Sequence, residues 1–161
     1  MMKKHRPNTI CLSGYDYSQE GLYFITICIQ EKLCLLGSIT DGENTLNPAG
    51  EMIEYWYNEL ENKYRHLRCH DYIIMPNHVH FIIELKPGGC ADISLIINWF
   101  KTMTTNEYIK HVYKDHWHPF NKRFWQRNYF EHIIRNQHAY DNIVEYINNN
   151  PSNWDKDTLY M

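Results

Sequence analysis

Residues 75–81 read Met-Pro-Asn-His-Val-His-Phe. On a β-strand, residues two apart share a face. His78, His80, Ile82 and Glu84 therefore line one side, and Val79, Phe81 and Ile83 the other. Two imidazoles in one row on a rigid strand make half of a divalent-metal site; the same pair also suits two structural histidines. A second cluster lies near the other end, Tyr146-Ile147-Asn148-Asn149-Asn150-Pro151. Tyr146 and Asn150 are four apart and stack on one side of a helix, beside the apolar stripe Tyr140, Ile143, Val144 and Ile147. Asn150 could lend an amide oxygen to a metal while Tyr146 presents its phenol one turn away. The competing roles are a half-buried helix aromatic for Tyr146 and a C-terminal cap before Pro151 for Asn150.

The elements that carry these residues follow from periodicity and punctuation. Leu22–Gln30 is β-branched and aromatic, hence a strand, with Leu33–Thr40 expected as its hairpin partner. Asp41-Gly42 is turn chemistry, and Asn44–Leu46 adds a short third piece. Asn47-Pro48 reads as an N-cap and first helical position. Ile53, Trp56, Tyr57, Leu60 and Tyr64 then recur at helical spacing over roughly 48–65. Leu67–Met75 and His78–Leu85 form an antiparallel hairpin around Pro76-Asn77. Asp92 or Ser94 caps a helix that ends near Tyr113, and 114–121 is loop. Arg123–Ile134 is expected as the last strand, and Asn136 caps a helix that runs to about Asn150. A β-α-β-β-α-β order is the ferredoxin-like split-βαβ plan of the α+β class: an antiparallel sheet with helices on one face, here followed by the tyrosine-bearing helix. The expected organisation is one domain over 1–161, with a leader at 1–20, a core at 21–151 and a tail at 152–161.

The chain has 161 residues, of which 22% are charged, and a formal net charge of −3. Taken whole, that charge argues weakly against nucleic acid. It is not evenly spread. Residues 1–100 hold 8 Lys/Arg against 12 Asp/Glu, whereas residues 101–135 hold 7 Lys/Arg against 3 Asp/Glu. That basic stretch is interleaved with Trp117, Phe120, Trp125, Tyr129 and Phe130. Cations for phosphates and flat faces for bases suit a single-stranded nucleic acid; a solvated face with core aromatics accounts for the same residues. No apolar run approaches a membrane span and no secretory signal opens the chain. Cys11, Cys28, Cys34, Cys69 and Cys90 show no CxxC pair, so free buried thiols in a reducing cytoplasm are expected, and no zinc site.

MPNHVHFII, followed about 65 residues later by EHIIRN and YINNNP, resembles the single-tyrosine HUH transposases. The similarity is strongest to their REP-associated branch, relatives of the smallest insertion-sequence transposases. It spans about Gly21 to Pro151, and the two blocks in this order are far more specific than either alone. The resemblance implies that His78 and His80 are metal ligands, Tyr146 the nucleophile and Asn150 the third ligand. Insertion-sequence relatives usually carry Gln at that position, so Asn150 is a departure shared with the REP-associated branch.

The chemistry so implied is coherent. A phenol with a pKa of about 10 is a poor nucleophile, and a phosphodiester repels anions. A divalent metal on the non-bridging oxygens relieves that repulsion. The resemblance implies Mg²⁺ in the cell with Mn²⁺ as a substitute, a 5′-phosphotyrosine intermediate, and single-stranded DNA bearing a hairpin or repeat as substrate. Lys101, Arg123, Arg127 and Arg135 are the expected phosphate contacts. Trp125 and Tyr129 are the expected base-stacking residues, sharing a strand face with Arg123 and Arg127, and both also suit sheet packing. A homodimer exchanging the tyrosine helix and a monomer both occur among such relatives. The expected location is the cytoplasm, at the nucleoid when acting. A reading from another class is a ferredoxin-like nucleic-acid-binding module without catalysis, such as a domesticated transposase. An unrelated metallohydrolase fits less well, for want of a carboxylate or third histidine.

Overall fold

In the computed structural model, residues 20–156 are described. Four strands, β1 (Gly21–Cys28), β4 (Leu67–Met75), β5 (His78–Leu85) and β6 (Phe130–Ile134), form one antiparallel sheet in the order β4-β5-β1-β6. β1 and β4 run parallel with β5 inserted between them, which is the split-βαβ arrangement expected. β2 (Gly37–Thr40) and β3 (Glu43–Leu46) pair with each other as a separate hairpin. The expectation that Leu33–Thr40 pairs with β1 is therefore corrected. Both edges of β1 are already taken, by β5 and β6.

Three helices follow their caps. α1 (Pro48–Lys63) starts at Asn47, whose side chain accepts from the Gly50 N–H. α2 (Ile93–Lys114) starts at Asp92, which accepts from the Leu95 N–H, while Ser94 donates to Asp92. α3 (Gln137–Asn149) starts at Asn136, which accepts from the Ala139 N–H. Each side-chain acceptor satisfies an N–H that the helix itself cannot pair.

The two faces of the sheet differ. On one, Ile25, Ile27, Val79, Phe81 and Ile83 pack against α1 and α2 residues such as Ile53, Leu60, Ile97 and Phe100 to form the main core. On the other, Phe24, Ile82, Ile134 and Ile147 form a small cluster, with Tyr140, Ile143 and Val144 of α3 packed against it. The stripe read from the α3 sequence is the surface by which that helix lies on the sheet. α3 is thus separated from α1 and α2 by the thickness of the sheet.

The last strand is shorter than its sequence suggests. β6 begins at Phe130, and the residues before it are irregular apart from a bridge between Ile29 and Trp125. Gln126 N–H donates to the Cys28 carbonyl and Gln30 N–H to the Phe124 carbonyl. The Lys101 ammonium donates to the carbonyls of Gln126 and Arg127 at 2.8 and 3.1 Å. This loop is tied down by side chains and bridges rather than by a continuous ladder. Among the described cysteines, Cys28, Cys34 and Cys69 carry no disulfide, with Cys34 exposed, and Cys90 is disulfide-bonded. This corrects the uniform expectation of free buried thiols: bonding depends on Cα atoms coming within about 7 Å, which spacing in the chain does not reveal.

Candidate functional site

The site is built on the α3 side of the sheet. His78 and His80 project to that face from β5, and their rings lie 4.6 Å apart. Both are buried. Each is held through Nδ1: His80 to Thr26 Oγ1 at 2.7 Å, His78 to Asn77 Oδ1 at 2.6 Å. Thr26 reaches His80 because the β1–β5 register sets them opposite each other. With Nδ1 so engaged, Nε2 is the nitrogen each imidazole offers toward a metal, the arrangement by which partners orient histidine ligands. Burial and the neighbouring His78 push the His80 pKa well below its usual value. A neutral imidazole with a lone pair on Nε2 is the form a metal binds.

α3 lays Tyr146 over this pair. Its hydroxyl lies 3.5 Å from His80 Nε2, and its ring meets His80 at 5.2 Å. The residue is nonetheless 46% exposed. The phenol therefore faces both the histidines and solvent, along a cleft of about 540 Å³ lined by Asn142, Glu145, Tyr146, Asn149, Asn150 and Asn153. Phe24 wedges beneath it, stacked on His80 at 5.4 Å and edge-on to Tyr146 at 6.1 Å.

Asn150, one turn on, is 3% exposed, and its Oδ1 has no hydrogen-bond partner. Its backbone is right-handed helical (φ −56°, ψ −47°), so it is not the left-handed C-cap that Asn often supplies. A buried, unsatisfied amide oxygen costs roughly 1–3 kcal/mol unless something binds it. Beyond it, the turn Pro151–Lys156 brings Trp154 flat against His78, 6.2 Å between centroids and 17° between planes. Tyr146 thus covers His80 and Trp154 covers His78, with Asn150 between them in the chain. Among the described residues no cluster of three His, Cys, Asp or Glu could hold a metal. The candidate donors here are two imidazoles and an amide.

The expected DNA contacts scatter. Arg123, Arg127 and Arg135 are exposed. Lys101 is half-buried, with its ammonium on two carbonyls and over the Tyr129 ring at 5.5 Å. Trp125 is buried against Phe100 and Phe124, and its indole N–H donates to Thr104 Oγ1. It has no open face for a base. This corrects the assignment of Trp125 and the shared strand face on which it rested: 123–129 is loop, so alternation does not apply. Glu84 pairs with His70 at 3.0 Å rather than with His78 or His80.

Thr26, Asn77, Phe24 and Trp154 are missing from the sequence-derived site. Thr26 left one signal, a lone polar residue inside an apolar strand. Trp154 left none, because the short turn that carries it has no periodicity.

The family described as Transposase IS200 like matches residues 46–150, a span that includes His78, His80, Tyr146 and Asn150. An uncharacterized protein of Haemophilus influenzae is 34% identical over 98% of this chain and 94% of its own length. A second protein of that organism, assigned as a REP-associated tyrosine transposase, is 27% identical over 87% of this chain and 76% of its own. Among solved structures, a REP-associated tyrosine transposase bound to a REP hairpin shares the fold, with a TM-score of 0.63 and 24% identity over 88% of this chain and 73% of that one. A protein of Deinococcus radiodurans assigned as a transposase shares it at a TM-score of 0.53 and 16% identity, covering 86% and 95% of the two chains.

Proposed function

This chain belongs to the IS200-like transposase family, and from that premise we propose that it cleaves and rejoins single-stranded DNA through a 5′-phosphotyrosine on Tyr146. The observation that carries the reading is the convergence on one sheet face of a solvent-reached phenol, two oriented imidazoles and a buried amide oxygen. The unsatisfied Asn150 oxygen fits a divalent ion held by His78, His80 and Asn150, Mg²⁺ in the cell with Mn²⁺ able to replace it. Bound there, the ion would neutralise the non-bridging oxygens of the target phosphate.

Tyr146, its proton given to solvent, forms a bond from its oxygen to phosphorus as the bond to the 3′ oxygen breaks. The departing 3′ oxygen takes up a proton. The phosphotyrosine ester conserves the free energy of the cleaved bond, so the reverse step with another 3′-hydroxyl rejoins strands without a nucleotide cofactor. Thr26 and Asn77 hold the imidazoles, Phe24 supports the phenol, and Asn150 completes the donor set. The distance from Tyr146 to His80 of the same chain supports attack in cis, which needs no exchange of α3 in a dimer.

The substrate we propose is DNA with a hairpin beside the cleavage position, by analogy with the hairpin-bound structural relative. Arg123, Arg127 and Arg135, all exposed, are the residues we propose for its phosphates. Such work belongs at the nucleoid, in the cytoplasm; no helix of the described residues is long and apolar enough to cross a membrane. A binding module without catalysis would have no use for a phenol placed against the histidines.

The test is a covalent adduct. The protein is incubated with end-labelled, hairpin-bearing single-stranded DNA and Mn²⁺, and the products are run on a denaturing gel. A shifted adduct is expected, lost in Tyr146→Phe. No adduct with intact protein, or one that survives Tyr146→Phe, overturns the mechanism.

A further inference from the structure

The open edge of the sheet carries an aromatic ring that the proposed chemistry leaves unused. The register of β6 on β1 sets Phe130 opposite Thr26, and the register of β1 on β5 sets Thr26 opposite His80. Phe130, Thr26 and His80 thus form one row across three strands, on one face. Neighbouring strands lie about 4.8 Å apart, so the backbones of Phe130 and His80 are separated by roughly 10 Å. The rings continue the row. Phe24 stacks on His80 and meets Phe130 edge-on at 6.4 Å, just as it meets Tyr146. One ring therefore lies between Phe130 and the phenol.

Phe24 is buried, but Phe130 is 56% exposed. His132, two residues on and on the same face, is also exposed, and exposed Arg127 and Arg135 flank the strand at its two ends. An exposed apolar ring on a strand with an arginine near each end suits a single strand of nucleic acid, phosphates on the charges and a base on the ring. A protein partner burying an apolar face would gain little from the arginines.

We propose that Phe130 stacks a base of the nucleotide next to the scissile phosphate and so sets that phosphate before Tyr146. The inference rests on the reading of this site as a single-stranded DNA strand transferase, and adds to it a substrate-binding residue. Stacking on an exposed ring tolerates any base, so Phe130 would position the strand without reading its sequence.

The experiment separates stacking from chemistry. Hairpin-bearing single-stranded DNA carries 2-aminopurine, moved one position at a time through the single-stranded flank. Each oligonucleotide is bound to Tyr146→Phe protein, so that nothing is cut, with and without Phe130→Ala or Phe130→Trp. Binding is followed by anisotropy and stacking by quenching of the 2-aminopurine. One position is expected to be quenched with Phe130, released with Phe130→Ala and quenched again with Phe130→Trp, while affinity falls about tenfold in the alanine variant. Quenching that is the same at every position with Phe130→Ala, at saturating protein, overturns the proposal. So does sedimentation showing that Phe130 instead holds two copies of the chain together. A failed adduct assay with this quenching intact would sink the phosphotyrosine reading and leave the stacking standing.

Discussion

At the scale of single residues, Thr26 and Asn77 decide how useful the two histidines are. An imidazole free to turn could offer either nitrogen; the Thr26–His80 and Asn77–His78 hydrogen bonds select Nε2. Losing such a partner typically weakens metal affinity ~10–100-fold. Thr26→Val keeps the shape and removes the bond, so it should raise the Mn²⁺ concentration needed for adduct formation by about that factor. A metal titration of the adduct assay checks this, and an unchanged midpoint would show that Thr26 only packs. His78→Ala or His80→Ala should abolish cleavage while largely sparing DNA binding. Equal loss of both would mean that the histidines hold the fold. Asn150→Ala should behave like the histidine variants in cleavage. It should also leave or raise thermal stability, because a buried oxygen without a hydrogen bond is removed.

At the scale of elements, α3 is the weakly attached piece that carries Tyr146, the nucleophile we propose. It meets the sheet through a small cluster centred on Phe24, Ile82, Ile134 and Ile147, whereas α1 and α2 share the large core on the other face. Ile147 is the one fully buried residue of α3, and Ile147→Ala should cost ~2–5 kcal/mol. That loss falls on α3 rather than on the sheet. Hydrogen exchange should therefore show α3 amides opening sooner, with β1 and β5 unchanged, and adduct formation slowed in proportion. Uniform acceleration across the sheet would show that α3 and the core unfold as one unit. The Asn136 cap contributes ~1 kcal/mol to the same helix, so Asn136→Ala should act in the same direction and more mildly.

At the scale of the whole molecule, the net charge of −3 is an average over unlike parts. Exposed Arg123, Arg127 and Arg135 face solvent, while the positive charge of Lys101 is spent on two loop carbonyls. DNA affinity should fall with salt, since each phosphate neutralised on a single strand contributes about 0.7 to the log–log slope. Arg127→Ala and Arg135→Ala should each flatten that slope by about this amount, as read by anisotropy against NaCl concentration. Lys101→Met should lower thermal stability with little change in slope, because its role is to hold 126–127 in place. An arginine variant with an unchanged slope would remove that residue from the binding surface.

Much of this was legible in the linear chain, for local reasons. The strand period of two sets His78 and His80 on one face, and the helix period sets Tyr146 above Asn150. Helix starts at Asn47, Asp92 and Asn136 follow from the N–H groups a helix leaves unpaired. These are short-range rules, and they suffice to place the site residues on their elements. What they cannot do is pair elements distant in sequence. That Thr26 meets His80 across 54 residues, that β2 turns to β3 instead of β1, and that Trp154 closes over His78 are outcomes of strand register and packing. Trp125 shows the same limit: a basic, aromatic stretch looks like an exposed strand until the bridge to Ile29 and the bond to Thr104 draw its ring into the core. Periodicity determined which residues face together along each element. Only the tertiary structure decided which faces meet, because that depends on burying apolar area between segments the chain brings together from far apart.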